Sequence, residues 1–149
     1  MEISNLRSYP DMADIIADRC WNAWWTETEV SLTEYRAHLE PMIAGNEVPV
    51  ALIAHDQGEY LGSVLLIEND LDDRQQYTPW IAALWVEPES RRQGIAAKLI
   101  EAARREAAFQ GYGLCYLCAT PDNTPYYIAR GFEQIETDVS GLNIFTIGS

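Results

Sequence analysis

Seven consecutive apolar residues, Trp80 to Val86, stop at Glu87-Pro88, and Arg91-Arg92-Gln93-Gly94-Ile95-Ala96 follows within a few positions. The run is too short for a membrane helix, which takes about 20 apolar residues. It reads as a buried strand stopped by a proline, which has no N–H to give to a strand ladder. From Arg92 to Gln110 the chain is alanine-rich. Ala96, Leu99, Ala103 and Ala107 form one apolar line with Ile100 alongside, and Gly111 and Gly113 end it. That spacing predicts a helix. A buried strand that turns directly into an amphipathic helix restricts the chain to folds with helices laid on a sheet.

The flanking sequence extends this pattern. Ile3 to Tyr9 reads as a first strand. Pro10-Asp11 opens a helix with Asp11 as N-cap, and Ile15, Ile16, Cys20, Ala23 and Trp24 recur on one face. Ser31-Leu32-Thr33-Glu34 is a capping box. It begins a second helix whose stripe is Leu32, Tyr35, Leu39, Met42 and Ile43, ending at Gly45. The period then shortens to about 2, as in strands. Val50 to His55 and Glu59 to Asn69 flank Asp56-Gln57-Gly58 as a hairpin. Asn69 to Pro79 is an acidic loop. After the long helix come a strand from Leu114 to Ala119, a short helix from Thr124-Pro125 to Gly131, and a strand pair, Phe132 to Thr137 and Leu142 to Ile147. The order is β-α-α-β-β-β-α-β-α-β-β. It predicts one α/β (α+β) domain over residues 1–149, a mixed, mostly antiparallel sheet flanked by helices.

Charge narrows the function. The net charge is −13, which argues against nucleic-acid binding, since that needs a cationic surface. Residues 1–80 hold 15 acids and 4 bases, a balance of −11. Residues 91–105 hold Arg91, Arg92, Lys98, Arg104 and Arg105 against Glu101 alone. This local surplus is either a solvated helix face or the seat of a polyanion. The N-terminus has no basic segment followed by an apolar one, which predicts a cytoplasmic protein that meets no membrane. Cys20, Cys115 and Cys118 are an odd set with no framework spacing, and Cys115 and Cys118 fall on opposite faces of a strand. His38 and His55 match no ligand spacing, so no metal is expected.

The first N–H groups of a helix lack internal partners and carry the positive end of its dipole, which makes them an anion site. Gly94 leaves the backbone open there. Arg91-x-x-Gly94-x-Ala96, after a strand ending Leu84-x-Val86, resembles the acyl-CoA loop of the GNAT superfamily of N-acyltransferases. Tyr127-x-x-x-Gly131-Phe132 is similar to that family's late Y-x-x-x-G-F motif. The order of elements agrees over nearly the whole chain.

The resemblance implies an acetyl-CoA-dependent N-acetyltransferase, in which an amine attacks the thioester directly. Arg91, Arg92, Gln93, Gly94, Ile95, Ala96 and Ala97 would hold the pyrophosphate of coenzyme A. Leu84, Trp85 and Val86 would pair with the pantetheine and polarise the thioester carbonyl. Tyr127 would protonate the leaving thiolate. Its place in the first turn of a helix predicts a phenol pKa below the ordinary value of about 10. Asn123 stands four residues before Tyr127, where the family places its asparagine about seven before, so it either contacts the pantetheine or caps the helix. Residues 80–86 contain no acid to serve as base. Glu68 and Asp70 are the nearest candidates, unless the base is water-mediated or absent.

Trp24 and Trp25 followed by Glu27 and Glu29, together with Asp70, Asp72 and Asp73, predict an acceptor site for a small cationic amine. Two other readings stand beside this one. One is a non-catalytic acyl-CoA-binding or sensor module. The other is an acetyltransferase acting on protein N-termini or lysines. Members of the family often pair, so a homodimer is possible.

Overall fold

The computed structural model describes residues 1–149. One seven-stranded sheet runs through it, built from β1 (Glu2–Asn5), β2 (Val50–Asp56), β3 (Glu59–Ile67), β4 (Trp80–Val86), β5 (Leu114–Ala119), β6 (Glu133–Val139) and β7 (Leu142–Gly148). The spatial order is β1-β2-β3-β4-β5-β7-β6. Every neighbouring pair is antiparallel except β4 and β5. The helices are α1 (Ala13–Trp24), α2 (Leu32–Ala37), α3 (Glu40–Ala44), α4 (Ile95–Phe109) and α5 (Thr124–Ala129). None is long and apolar enough to cross a membrane.

Strand alternation sorts the core into two layers. Val50, Leu52 and Ala54 of β2 face α4 and pack with Leu99, Ile100, Ala103 and Ala107. Ala51 and Ile53 face the other way, against Ile16, Ala17 and Cys20 of α1 and Tyr35 of α2. Each residue from Val50 to Ala54 therefore serves one of two separate apolar layers. This is why the strand reads as a continuous apolar run rather than an alternating one.

Several boundaries differ from the sequence reading, each for a local reason. The first strand stops at Asn5, whose side chain accepts from the Arg7 N–H and starts a 3₁₀ turn. Asp11 does not cap α1; it lies in a second 3₁₀ turn, Pro10–Met12, and the helix begins at Ala13. The Ser31–Glu34 capping box is present. The expected single second helix is broken into α2 and α3 at His38–Leu39. Pro41 has no N–H to give to Ala37, and its ring crowds that carbonyl. Leu32, placed in the buried stripe, is exposed. The long helix starts at Ile95 rather than Arg92, because Arg92 (φ 64°) and Gly94 (φ 80°) take left-handed conformations. A 3₁₀ turn, Pro88–Ser90, precedes them.

The sheet has one break. β4 and β5 pair at a single register point, Trp80 with Tyr116. The Tyr116 N–H donates to the Pro79 carbonyl at 2.9 Å. The Tyr116 ring stacks on Tyr77 at 4.4 Å and packs against Trp80 at 5.7 Å. Beyond this aromatic cluster the strands diverge. Here Ala82 to Trp85, expected to be buried, are only half-buried, because they line the opening.

β4 also bulges. Ser63 faces Trp85 and Leu65 faces Ala82, so Ala83 and Leu84 stand opposite Val64 alone. Ala83 takes a φ of 51°. Such a bulge bends its strand and leaves the extra residue out of the ladder. Gly62 permits the close approach, since a Cβ there would lie 2.6 Å from the Trp85 carbonyl oxygen. Gly62→Ala should therefore cost about 1–3 kcal/mol of stability, as overpacking does. The checking measurement is urea unfolding. A lower midpoint at unchanged slope is expected; an unchanged midpoint contradicts the tight Gly62–Trp85 approach.

Candidate active site

The divergence of β4 and β5 opens a cleft of 1510 Å³. That exceeds the roughly 300–1,000 Å³ of a site for one small ligand. Ala82 to Val86 form one wall and Leu117 to Ala119 the other. Arg91, Arg92, Gly94, Ile95, Ala96 and Ala97 line the mouth on the α4 side. The N–H groups from Arg92 to Ala97 make no hydrogen bond within the protein, and the first α4 bond from this segment runs from Lys98 to the Gly94 carbonyl at 3.2 Å. A Cβ on Gly94 would meet nothing within 4 Å. The segment is thus an open row of donors at the positive end of a 15-residue helix.

The two arginines before it behave differently. Arg91 folds back: its Nε donates to the Val86 carbonyl at 2.8 Å, and its guanidinium lies 4.7 Å over the Trp85 ring. It fixes the turn after β4. Arg92 has no such tie and remains exposed. Glu87 secures the same corner from below. Its N–H donates to the Leu61 carbonyl at 2.8 Å, and its carboxylate accepts from Arg19 Nε of α1 at 2.6 Å. Gln93 lies off the cleft wall.

Tyr127 of α5 lines the cleft. Its ring packs on Phe132 at 5.4 Å and Phe145 at 5.7 Å, and its hydroxyl makes no hydrogen bond within the protein. Burial pushes the phenol up to about 12, the reverse of the expected shift. The dipole of a six-residue helix is too small to offset desolvation among aromatic rings. The group is therefore a fully protonated phenol at neutral pH. Asn123 also lines the cleft but does not cap α5; its amide donates to the Thr120 hydroxyl at 3.2 Å. Thr124, at the start of α5, is held by Asn143 of β7 at 3.0 Å.

The cleft also carries aromatic and acidic groups in its lining. Trp24, Trp25, Tyr35 and His38 line it together with Trp85, and Trp24 meets Trp85 edge-on at 6.2 Å. Asp70, Asp72 and Asp73 complete the wall, and none of them is in an ion pair. Their segment is anchored on β6, where Glu136 takes a forked pair of bonds from Arg74 and one from Tyr77. The Arg74 guanidinium and the Tyr77 hydroxyl hold the Glu136 carboxyl down to about 2. Asp73 accepts from Ser140 in the β6–β7 turn.

Two expected site residues lie elsewhere. Glu68 lines a separate surface depression with Asn69, Gln75, Thr78 and Tyr112. Leu65 and Ile67 face the cleft, so alternation turns Glu68 away. Glu27 is absent from the wall, where Thr28 stands. Tyr35, His38, Cys118 and Arg130 line the cleft without having been singled out. For Cys118 the signal was available, because period 2 sets it opposite the buried Cys115.

Sequence comparison gives the family, and structure comparison gives the fold. The Acetyltransferase (GNAT) family profile matches residues 15–132. No protein of curated function matches the chain in sequence. Among solved structures, an aminoglycoside 6'-N-acetyltransferase complexed with coenzyme A superposes with a TM-score of 0.75 at 18% identity, covering 99% of this chain and 97% of that one. A Salmonella typhimurium protein solved with acetyl-CoA gives 0.71 at 16% identity, covering 99% and 93%. A ribosomal-protein-alanine N-acetyltransferase from Brucella melitensis gives 0.69 at 18% identity, covering 100% and 99%. The forked sheet, the open turn before α4 and the profile match lead to one conclusion: the chain belongs to the GNAT family of acetyltransferases.

Proposed function

We propose that this protein transfers an acetyl group from acetyl-CoA to a small, positively charged primary amine. The observation that carries this reading is the division of charge across one cleft. Unpaired backbone N–H groups and arginines come from the turn before α4, carboxylates outside any ion pair come from the Asp70–Asp73 segment, and both line the same cleft with Trp85 and Trp24. Such a cleft suits both a polyanion and a cation.

The donor end fits coenzyme A. N–H groups from Arg92 to Ala97 would take the pyrophosphate, with Arg92 and Arg130 adding charge. The free edge of β4 at Leu84 and Val86 would pair with the pantetheine amides, as an added strand does. Acetyl-CoA supplies an acetyl group activated as a thioester. Around it, a backbone N–H at the Ala83–Leu84 bulge, where the ladder is interrupted, would polarise the carbonyl. The Tyr127 phenol donates a hydrogen bond and then its proton to the departing sulfur. Its raised pKa keeps that proton in place at neutral pH.

Two variants separate these roles. Gly94→Glu puts a carboxylate where the pyrophosphate would lie, and should weaken acetyl-CoA binding by about 100-fold or more. The left-handed φ of 80° costs any side chain there about 1–2 kcal/mol, so Gly94→Ala, which carries the strain without the charge, is the control and should keep most of the affinity. Tyr127→Phe should keep that affinity and lower kcat by about 10²- to 10⁴-fold. Calorimetry and thiol-release rates read both. Unchanged affinity in the first variant removes the turn from the donor site, and an unchanged rate in the second removes Tyr127 as the acid.

The acceptor reading is tested by a panel of amines with acetyl-CoA. Spermidine, kanamycin and lysinamide represent cations, alanine and glutamate carry compensating carboxylates, and a neutral peptide has an N-terminal alanine. The cations should react fastest. Their kcat/KM should fall as salt rises from 0.01 to 0.1 M, because the screening length shrinks from about 30 Å to about 10 Å. A salt-independent preference for the neutral peptide or for glutamate contradicts the cationic acceptor.

A further inference from the structure

The carboxylates of the cleft all come from one short segment. They are Asp70, Asp72 and Asp73, while Glu27 and Glu29 lie off the wall. Asp72 already accepts from the Asn69 amide and Asp73 from the Ser140 hydroxyl. The lining supplied by α1, α2, α3 and the turns between them contains no acid. It is aromatic and apolar instead. Trp24 and Trp25 at the end of α1, Tyr35 of α2 and Met42 of α3 line it with Leu65 and Ile67 of β3. All but Trp24 belong to the apolar layer that packs these helices on the sheet, so that layer borders the cleft directly.

The apolar wall is built in advance of any ligand. The turn after α1 is tied down, since the Trp21 indole N–H donates to the Val30 carbonyl at 2.8 Å and the Thr28 hydroxyl to the Trp25 carbonyl at 2.8 Å. Trp25 packs on Tyr35 with ring centroids 5.7 Å apart, and Trp24 stands edge-on to Trp85. Trp24 is 49% exposed, although tryptophan is highly buried on average. A fixed aromatic surface of this kind binds a ligand at low ordering cost. Burial, then Cys20, and then the Asp70 charge push the Tyr35 phenol up. Asp70 therefore stands close enough to the aromatic wall for its charge to be felt there.

Building on the proposed reaction, we propose that the acceptor is an arylalkylamine, a single primary ammonium on a short chain that ends in an aromatic ring. The ammonium is held by the Asp70–Asp73 segment, and the ring lies on the wall of Trp24, Trp25, Tyr35 and Met42. A ring gains there from the apolar area it buries and from contact with other aromatic rings. A polyamine or a polyhydroxylated amine finds no second set of carboxylates on this wall, and its polar groups would lose water without gaining partners. In the transfer, the nitrogen pair forms the N–C bond as the C–S bond breaks. The ammonium gives two protons to water, Tyr127 protonates the sulfur and regains its proton from water, and one proton is released.

The test uses the full chain with acetyl-CoA and compares 2-phenylethylamine with ethylamine, 1,4-diaminobutane and kanamycin. 2-Phenylethylamine should exceed ethylamine in kcat/KM by about 10- to 100-fold, the effect of burying a phenyl ring, and should exceed both polycations. The ratio to ethylamine should hold as salt rises, because the two amines carry the same charge. Trp24→Ala, at an exposed position, should lower kcat/KM for 2-phenylethylamine by about 10-fold more than for ethylamine. His38→Glu places an acid on the apolar wall and should move the preference toward 1,4-diaminobutane by about 2- to 5-fold. If either polycation reacts fastest, or Trp24→Ala slows both monoamines equally, the proposal is overturned while the cationic acceptor stands. If the neutral peptide reacts faster than every amine, the cationic acceptor reading fails and this proposal falls with it. If acetyl-CoA does not bind, the donor reading fails and takes both with it.

Discussion

The single parallel contact between Trp80 and Tyr116 decides the shape of the molecule. It joins the β1-to-β4 and β5-to-β6 halves of the sheet at one end and leaves them free at the other. Three stacked and tilted aromatic rings, Tyr77, Tyr116 and Trp80, hold the closed end. Nothing bridges β4 to β5 after it, so their backbone groups face the cleft. A buried, unpaired strand edge is costly in a folded protein. Here the edge is solvent-facing and available to a ligand that brings its own amides, which is the physical basis for the proposed pairing of pantetheine along β4.

The rest of the site depends on that opening. The Ala83–Leu84 bulge turns β4 at the fork, and Gly62 permits it by carrying no side chain against Trp85. Arg91 and Glu87 fix the turn that follows, so the unpaired N–H groups before α4 meet the fork at its mouth. α4 lies across β2, β3, β4 and β5 and bridges the two halves through Leu99, Ala103 and their neighbours. The fork therefore stays open on a rigid base, and α5 carries Tyr127 into it from the β5 side.

Much of this was legible in the residues. The β4 run, the Arg91–Ala96 turn and the Tyr127–Phe132 motif lie where spacing and resemblance put them, because each depends on local chemistry. The boundary errors at Tyr9, Asp11 and His38 have local causes too, in side-chain caps and a proline whose effect outweighed apolar spacing. What could not be read was non-local. Ala83 carries no glycine to betray its positive φ, and the break in the sheet depends on which strands fail to pair. The Tyr127 shift was misjudged because the rings of Phe132 and Phe145 reach it only through the fold. Glu68 and Asp70 stand two apart and would share a face in a strand; they part only because β3 ends at Ile67 and the chain leaves the ladder before Asp70.

The central claim is that the fork between β4 and β5 is the seat of the donor. A crystal structure of the protein with coenzyme A tests it most directly. The account predicts the pyrophosphate within hydrogen-bond distance of N–H groups between Arg92 and Ala97, pantetheine amides paired with β4 at Leu84 or Val86, and the sulfur next to the Tyr127 hydroxyl. Coenzyme A bound outside the fork, or β4 and β5 closed by further pairing beyond Trp80 and Tyr116, would contradict it.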